Sequence, residues 1–234
     1  MRTIGLLGGM SWESSAHYYR LINEQARRQL GGTHSAPSVM VSVDFAEIEA
    51  LQHAGDWDAL TGRMIAAARQ AENGGAQLLV ICTNTMHLMA DAVQAAITIP
   101  LLHIADPVGH AITEQGFKRV GLLGTAFTME QPFLRERLEH GFGLDVITPD
   151  TADRGNVHRI IYDELVRGIV TEPSRATYRA IMHRLADQGA QAIILGCTEI
   201  MLLVDQADSP VPLFDTTTLH ALAAVDAALA EGAA

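Results

Sequence analysis

The chain has 234 residues, 48% hydrophobic and 18% charged. That is apolar material for one large core or two small ones, and too little charge for a disordered chain. Sixteen Lys and Arg stand against 27 Asp and Glu, a formal charge of −11. This argues against a general nucleic-acid binder, which needs a basic face. It leaves an anionic ligand open, since a pocket is governed by local dipoles. No run approaches the roughly 18 apolar residues of a membrane span. The opening MRTIGLLGGMSWESS reads as a first strand rather than a secretory leader. Two cysteines without a disulfide framework point to a reducing, cytoplasmic setting.

In chain order, strand-like runs fall at 3–8, 39–45, 77–83, 101–104, 119–125, 144–149, 191–197 and 211–215. Helical stretches lie at 12–30, 57–72, 86–96, 129–140, 156–168, 173–188 and 217–230. Such alternation predicts an α/β fold with parallel sheets flanked by helices. The short apolar runs LLVI and AIIL fit strands buried on both faces.

The chain also repeats itself. Ile4-Gly5-Leu6-Leu7-Gly8 matches Val120-Gly121-Leu122-Leu123-Gly124, Ala76-Gln77 matches Ala190-Gln191, and Cys82 matches Cys197, at offsets that agree within two residues. Chance similarity between apolar strands is the weaker reading, because order and spacing match together. Two pseudo-symmetric domains are therefore expected. Residues 1–100 plus 210–234 form the Cys82 half, and 101–209 the Cys197 half. The active site is expected in the cleft between them, since open α/β sheets bind ligands at the carboxyl ends of their strands.

Both cysteines stand at such ends, in LLVICTNTMH and AIILGCTEIM. A lone cysteine is more often a small buried hydrophobe than a reactive group. Two in matched loops favour function: two thiols facing one substrate can take a proton from one face of a carbon and return it to the other. A helix start after each would depress the thiol pKa from its usual ~8.5. Thr83, Asn84 and Thr85 suit a cap or an anion site, and the free N–H groups of a helix start can hold a carboxylate.

Other signals are weaker. The loop Gly8-Gly9-Met10-Ser11-Trp12-Glu13-Ser14-Ser15 opens onto the same rim but lacks the glycine spacing of a dinucleotide fingerprint. Ten histidines are scattered without metal-binding spacing, so no metal is expected. His87, His103 and His110 lie near enough in sequence to the first thiol to support it, though a hydrogen-bonded or surface role is the commoner one. Serine-hydrolase elbows and phosphate-binding loops are absent.

GLLGGMSWESS, ICTNTMH and LGCTEI together resemble the aspartate/glutamate racemase family, which works without pyridoxal phosphate, over nearly the whole chain. The likeness is strongest to its broad-specificity branch. The resemblance implies Cys82 and Cys197 as the catalytic acid/base pair and no cofactor. It implies Met10, Asn84, Thr85, Thr198 and the backbone of Thr83 as holders of the substrate carboxylate and ammonium. Gln52 is a candidate for the substrate side chain. Glu199, as an anion, would favour the protonated form of Cys197.

Two departures bear on substrate. Glutamate racemases of cell-wall synthesis carry Asp-Ser in the first loop and histidine after the second Cys-Thr; here those places hold Gly9-Met10 and Glu199, which speaks against that role. Strict aspartate racemases present an arginine after the second strand; residues 42–49 contain none. Arg167, and after it Arg154, are the cations to watch.

The expected partner is a small-molecule amino acid, with no nucleic acid and no membrane, and a homodimer is allowed. The rival readings are a thiol-dependent isomerase or decarboxylase of the maleate isomerase or arylmalonate decarboxylase kind, a non-catalytic amino-acid sensor, and a thiol-redox protein. A decarboxylase of that kind needs one cysteine, and redox pairs favour CxxC.

Overall fold

The structure, a computed structural model, describes residues 1–230. The described residues divide into two compact units, 1–103 with 220–230 and 104–219.

The first unit holds β1 (Ile4–Gly8), α1 (Trp12–Leu30), β2 (Ser38–Ser42), α2 (Phe45–Ala54), α3 (Trp57–Asn73), β3 (Leu78–Ile81), a 3-10 helix at Thr85–Met89, α4 (Ala90–Ala95) and β4 (Leu101–Leu102). Its strands are parallel in the order β2-β1-β3-β4. The second unit holds α5 (Ala105–Glu114), β5 (Arg119–Leu123), α6 (Ala126–Glu130), α7 (Pro132–Phe142), β6 (Asp145–Ile147), α8 (Thr151–Asp163), a 3-10 turn at Leu165–Arg167, α9 (Glu172–Asp187), β7 (Ala192–Leu195), α10 (Ile200–Leu203) and β8 (Leu213–Asp215). Its sheet has the order β6-β5-β7-β8, again parallel. The last helix, α11 (Thr216–Ala230), comes directly after β8.

The sequence repeat is thus a repeat of topology: β1 and β3 of one sheet correspond to β5 and β7 of the other, and each pair is central. A central strand covered on both faces must be apolar throughout. Accordingly β3 and β7 are buried at every position. In the first sheet Ile4, Leu6, Val80 and Cys82 pack with Tyr18, Ile22, Ala221 and Val225. On the opposite face Leu7, Leu79 and Ile81 pack with Leu60, Met64 and Met86.

Some boundaries differ from expectation. Residues 101–102 belong to the first sheet, where Leu101 pairs with Leu79. Residues 213–215 belong to the second, where Leu213 pairs with Ile193. The expected return of residues 210–234 to the first half therefore begins only at His220. A strand of two or three residues carries no local signal for which sheet it joins; the pairing is a long-range choice.

The run at 39–45 stops as a strand at Ser42, because Asp44 caps α2 by accepting from the Ala46 N–H at 3.0 Å. Asp44 followed by Glu47 is an N-terminal helix signal, masked by the alternating valines before it. Helix α5 is not expected from the sequence because Pro107 and Gly109 interrupt its pattern.

The loop after β1 is locked to the loop after β2. Val43 N–H donates to the Gly8 carbonyl at 3.0 Å. Gly9 has φ +90°, and a Cβ there would lie 2.1 Å from the Val43 carbonyl oxygen. Gly9→Ala therefore meets both a disfavoured backbone region and a backbone clash. It should cost roughly 2–4 kcal/mol, read as a lowered Tm; an unchanged Tm would show that the two loops separate freely.

Candidate active site

In the first unit Cys82 lies one residue beyond β3 and is fully buried. Its N–H donates to the Leu7 carbonyl at 2.9 Å, and its carbonyl accepts from the Ser14 hydroxyl at 3.2 Å. Ser14 is in the first turn of α1, capped by Ser11 at 3.3 Å. Ser15 accepts from the Gly9 N–H at 2.8 Å and donates to the Ser11 carbonyl at 2.9 Å. The serines of SWESS thus bind the β1–α1 loop to itself and to the cysteine backbone. The sequence marks this loop as facing a ligand and gives no sign of the Ser14 contact.

After Cys82 come Thr83, half-buried, and Asn84 and Thr85, both buried; Met10, in the loop after β1, is buried too. Met10 shares a cluster with Ile48, Ile81 and Met86. Gln52 is 5% exposed on α2, and its Oε1 is buried without accepting a hydrogen bond. Placing an amide oxygen there costs about 1–3 kcal/mol, which singles this group out as waiting for a donor.

In the second unit Cys197 lies two residues beyond β7 and is buried. Its Sγ donates to Glu199 Oε2 at 3.0 Å, and the Thr198 hydroxyl donates to the same oxygen at 2.7 Å. Both Thr198 and Glu199 are buried. Tyr178, from α9, belongs to the same cluster as Cys197 and donates to the Val157 carbonyl at 3.4 Å. Burial, and then the charges that Cys197, Glu164 and Glu199 carry when ionised, push its hydroxyl pKa up. No sequence signal points to Tyr178.

The depression of the thiol pKa expected from the helix starts is overturned, while the upward push of Glu199 on Cys197 runs as expected. Burial alone pushes Cys82 up. Burial, then the Glu199 charge and its hydrogen bond, push Cys197 up. The helices after the thiols are too short to reverse this: a five-residue 3-10 helix in one case and the four-residue α10 in the other. Neither Asn84 nor Glu199 caps its helix through its side chain. Both thiols are protonated at rest; among the described residues a carboxylate, Glu199, bonds Cys197 and none bonds Cys82.

Of the three histidines expected near the first thiol, the fold gathers two. His87 and His103 meet at 4.7 Å between ring centroids, and His220 of α11 joins them 5.6 Å from His87. His110 instead lies in the second unit, edge-on to Phe142. His220 escapes sequence reasoning because it is distant along the chain. Among the described residues no group of His, Cys, Asp or Glu is arranged to hold a metal ion. Among them, too, no helix is long and apolar enough to cross a membrane.

Of the watched arginines, Arg154 is committed to the Pro149 carbonyl at 2.8 Å and to Glu130 at 3.1 Å. Arg167 is exposed at the end of the turn that begins at Leu165, and Leu165 packs in the Cys197 cluster. A further cation reaches the segment that offers none of its own: Arg63 of α3 pairs with Glu47 at 3.1 Å, in an open groove also lined by Ser42, Asp44 and Gln70.

Two copies of one parallel sheet, each delivering a buried thiol just past a central strand, define a cysteine-bearing α/β enzyme. Residues 7–224 match the family model Asp/Glu/Hydantoin racemase. The chain belongs to that family and is an isomerase that acts as a racemase. It is 24% identical to the broad specificity amino-acid racemase RacX of Bacillus subtilis, over 97% of this chain and 98% of that one. A crystal structure of a candidate Asp/Glu racemase from Yersinia pestis is 53% identical, with a TM-score of 0.92 over 98% of this chain and all of that one. An aspartate racemase homologue from Pyrococcus horikoshii is 32% identical, with a TM-score of 0.85 over 98% and 100%.

The Glu199 contact has a signed consequence. Glutamine keeps an oxygen acceptor but removes the charge that raises the Cys197 pKa. In a Cys82→Ser background, Glu199→Gln should therefore move Cys197 ionisation to lower pH, read by ultraviolet thiolate absorbance. An unmoved or raised midpoint would show that the carboxylate does not act on the thiol.

Proposed function

We propose that the protein interconverts L- and D-amino acids by two-base proton transfer, with Cys82 and Cys197 serving opposite faces of the α-carbon. The observation that carries this reading is the repeat itself: one sheet topology twice, with a buried thiol within two residues of the end of the corresponding central strand in each. One thiolate takes the α-proton and becomes a thiol. The opposite thiol gives its proton to the other face and becomes a thiolate. One proton leaves the substrate and one returns, so the balance closes without a metal, pyridoxal phosphate or other co-reactant. The productive enzyme holds one thiolate and one thiol, and the pair titrates as a unit.

Burial holds both thiols protonated, so the thiolate needs a source of stabilisation. An amino acid brings its own ammonium, and a positive charge close to a thiol favours the thiolate. Glu199 supplies an acceptor for the Cys197 proton, already hydrogen-bonded to it. Met10, Asn84, Thr85, Thr198 and the backbone of Thr83 serve the carboxylate and ammonium. Backbone donors aimed at the carboxylate stabilise charge that grows in the transition state, at about 2.7–4 kcal/mol per well-placed donor. Gln52 offers its orphan oxygen to the substrate side chain. Free thiols of this kind suit a reducing cytoplasm.

Broad specificity is part of the proposal. It draws on the Bacillus relative and on the state of the nearby cation: Arg63 is exposed and already neutralised by Glu47, a poor partner for a distal carboxylate compared with a buried bidentate arginine. Arg167 is the alternative cation. The kcat/KM values for aspartate, glutamate, homoserine and methionine should lie within about a hundredfold of one another. A preference for the acidic pair beyond that, ~2.7 kcal/mol, overturns broad specificity, and its loss in Arg167→Ala would identify the cation.

The mechanism is tested by incubating each enantiomer in D2O and reading chirality and α-deuterium together. Cys82→Ala and Cys197→Ala should each lose racemisation, while α-deuterium exchange persists from the enantiomer whose proton faces the surviving thiol. Undiminished racemisation in either variant would make that cysteine structural.

A further inference from the structure

The first unit buries an unusual amount of polar aromatic machinery directly behind Cys82. His87 is 2% exposed, His103 6%, and His220 and Tyr18 not at all. Imidazole and phenol groups in a core cost stability unless each is hydrogen-bonded, and aliphatic residues would fill the same space more cheaply.

The hydrogen bonds fix the proton positions. His87 Nδ1 lies 2.8 Å from the Thr83 carbonyl. A carbonyl only accepts, so Nδ1 carries the proton and donates. His220 Nε2 lies 2.9 Å from the Leu102 carbonyl, so there Nε2 donates. Its Nδ1 is left as an acceptor, and the Tyr18 hydroxyl, 3.0 Å away, donates to it. Tyr18 also stands edge-on to His220 at 5.7 Å. His220 and His103 in turn seat the His87 ring at 65° and 64°. The titratable groups facing His87 are thus His103 from the segment after β4 and His220 from α11, with Tyr18 of α1 behind His220. Burial, and then the charges His103 and His220 would carry, hold the His87 pKa well below the usual imidazole value. The ring is neutral, and its Nδ1–H donates to the Thr83 carbonyl.

The Thr83 carbonyl is one peptide beyond the thiol. With the Leu7 contact to the Cys82 N–H and the Ser14 contact to its carbonyl, three backbone groups within two residues of the turn are pinned. Among the described residues the Cys82 Sγ makes no hydrogen bond, whereas Cys197 has Glu199. The direction of the first thiol is therefore set through the backbone.

We propose that His87 is a positioning residue for Cys82, holding the Cys82–Thr83–Asn84 turn through its bond to the Thr83 carbonyl and itself held by His103, His220 and Tyr18. The inference rests on the two-cysteine reading above. A thiol misplaced by about 1 Å can cost about a hundredfold in rate, so the expected effect falls on kcat and not on binding.

The test contrasts two amides. Asparagine places its nitrogen where imidazole Nδ1 lies and can still donate to Thr83; glutamine carries its nitrogen near the Nε2 position and cannot. A packing role predicts the reverse order, since glutamine fills more of the space. His87→Gln should lower kcat at least tenfold with KM within threefold of the parent, and His87→Asn should recover kcat to within threefold. Glutamine equal to or better than asparagine, a change in KM alone, or two unaffected variants would each overturn the proposal. If His87→Gln does not yield folded protein, Tyr18→Phe is measured instead. It removes only the hydroxyl that seats His220 and should lower kcat about threefold at unchanged KM; an unchanged kcat overturns the proposal. Cys82→Ala is run alongside. If it still racemises, the two-cysteine reading has failed and this inference falls with it. If it is inactive while the His87 variants follow volume rather than nitrogen position, the positioning role alone has failed.

Discussion

A strand covered by helices on both faces has no place for a charge, and β3 and β7 each deliver a thiol into that environment. Burying an ionised sulfur costs far more than burying a thiol, so both cysteines are neutral at rest. The chemistry expected of them runs against this default. Either charge must arrive with the ligand, or it must already be present beside the sulfur. The charge beside Cys197 has the opposite sign: the Glu199 carboxylate, bonded to both Cys197 and Thr198, adds to the cost of ionising the sulfur, although it can accept the proton.

The two halves thus share a topology and differ in their polar chemistry. In the first, order comes from neutral groups: the serines of the β1–α1 loop, the Ser14 bond to the Cys82 carbonyl and the histidine cluster behind Thr83. In the second, order comes from a charged acceptor and from a tyrosine whose own ionisation is suppressed first by burial and then by the acids around it. A neutral frame fixes geometry without biasing the thiol's proton, whereas a carboxylate does both. That division suits the proposed reaction, in which one sulfur begins charged and the other protonated.

The proposed specificity rests on a different part of the first unit. The segment after β2 enters α2 through the Asp44 cap, and α2 presents Gln52 with an amide oxygen that has no donor. An uncharged amide can meet a carboxylate, a carboxamide or a hydroxyl, whereas a buried arginine would select one of them strongly. Glu47 occupies the arginine that reaches this segment.

Much of this was legible in the chain itself. The period of apolar runs set the parallel α/β class, because a doubly covered strand must be apolar along its length. The matched spacing of the Ile4–Gly8 and Val120–Gly124 runs announced two copies of one sheet. Cys82 and Cys197 stood out because each closes such an apolar run, and the end of a strand is written in local sequence. Tertiary structure decided whatever depends on residues far apart along the chain. The sheet joined by each short strand is one case, since two or three residues carry no pairing code. The sign of the thiol pKa shifts is another: desolvation is a property of the assembled core, and the helix ends expected to oppose it are too short. His220 beside His87, Tyr178 beside Cys197 and Arg63 on Glu47 belong to the same class. Each is a contact made by distant elements, and no local pattern announces where a side chain will meet another after the sheets have formed.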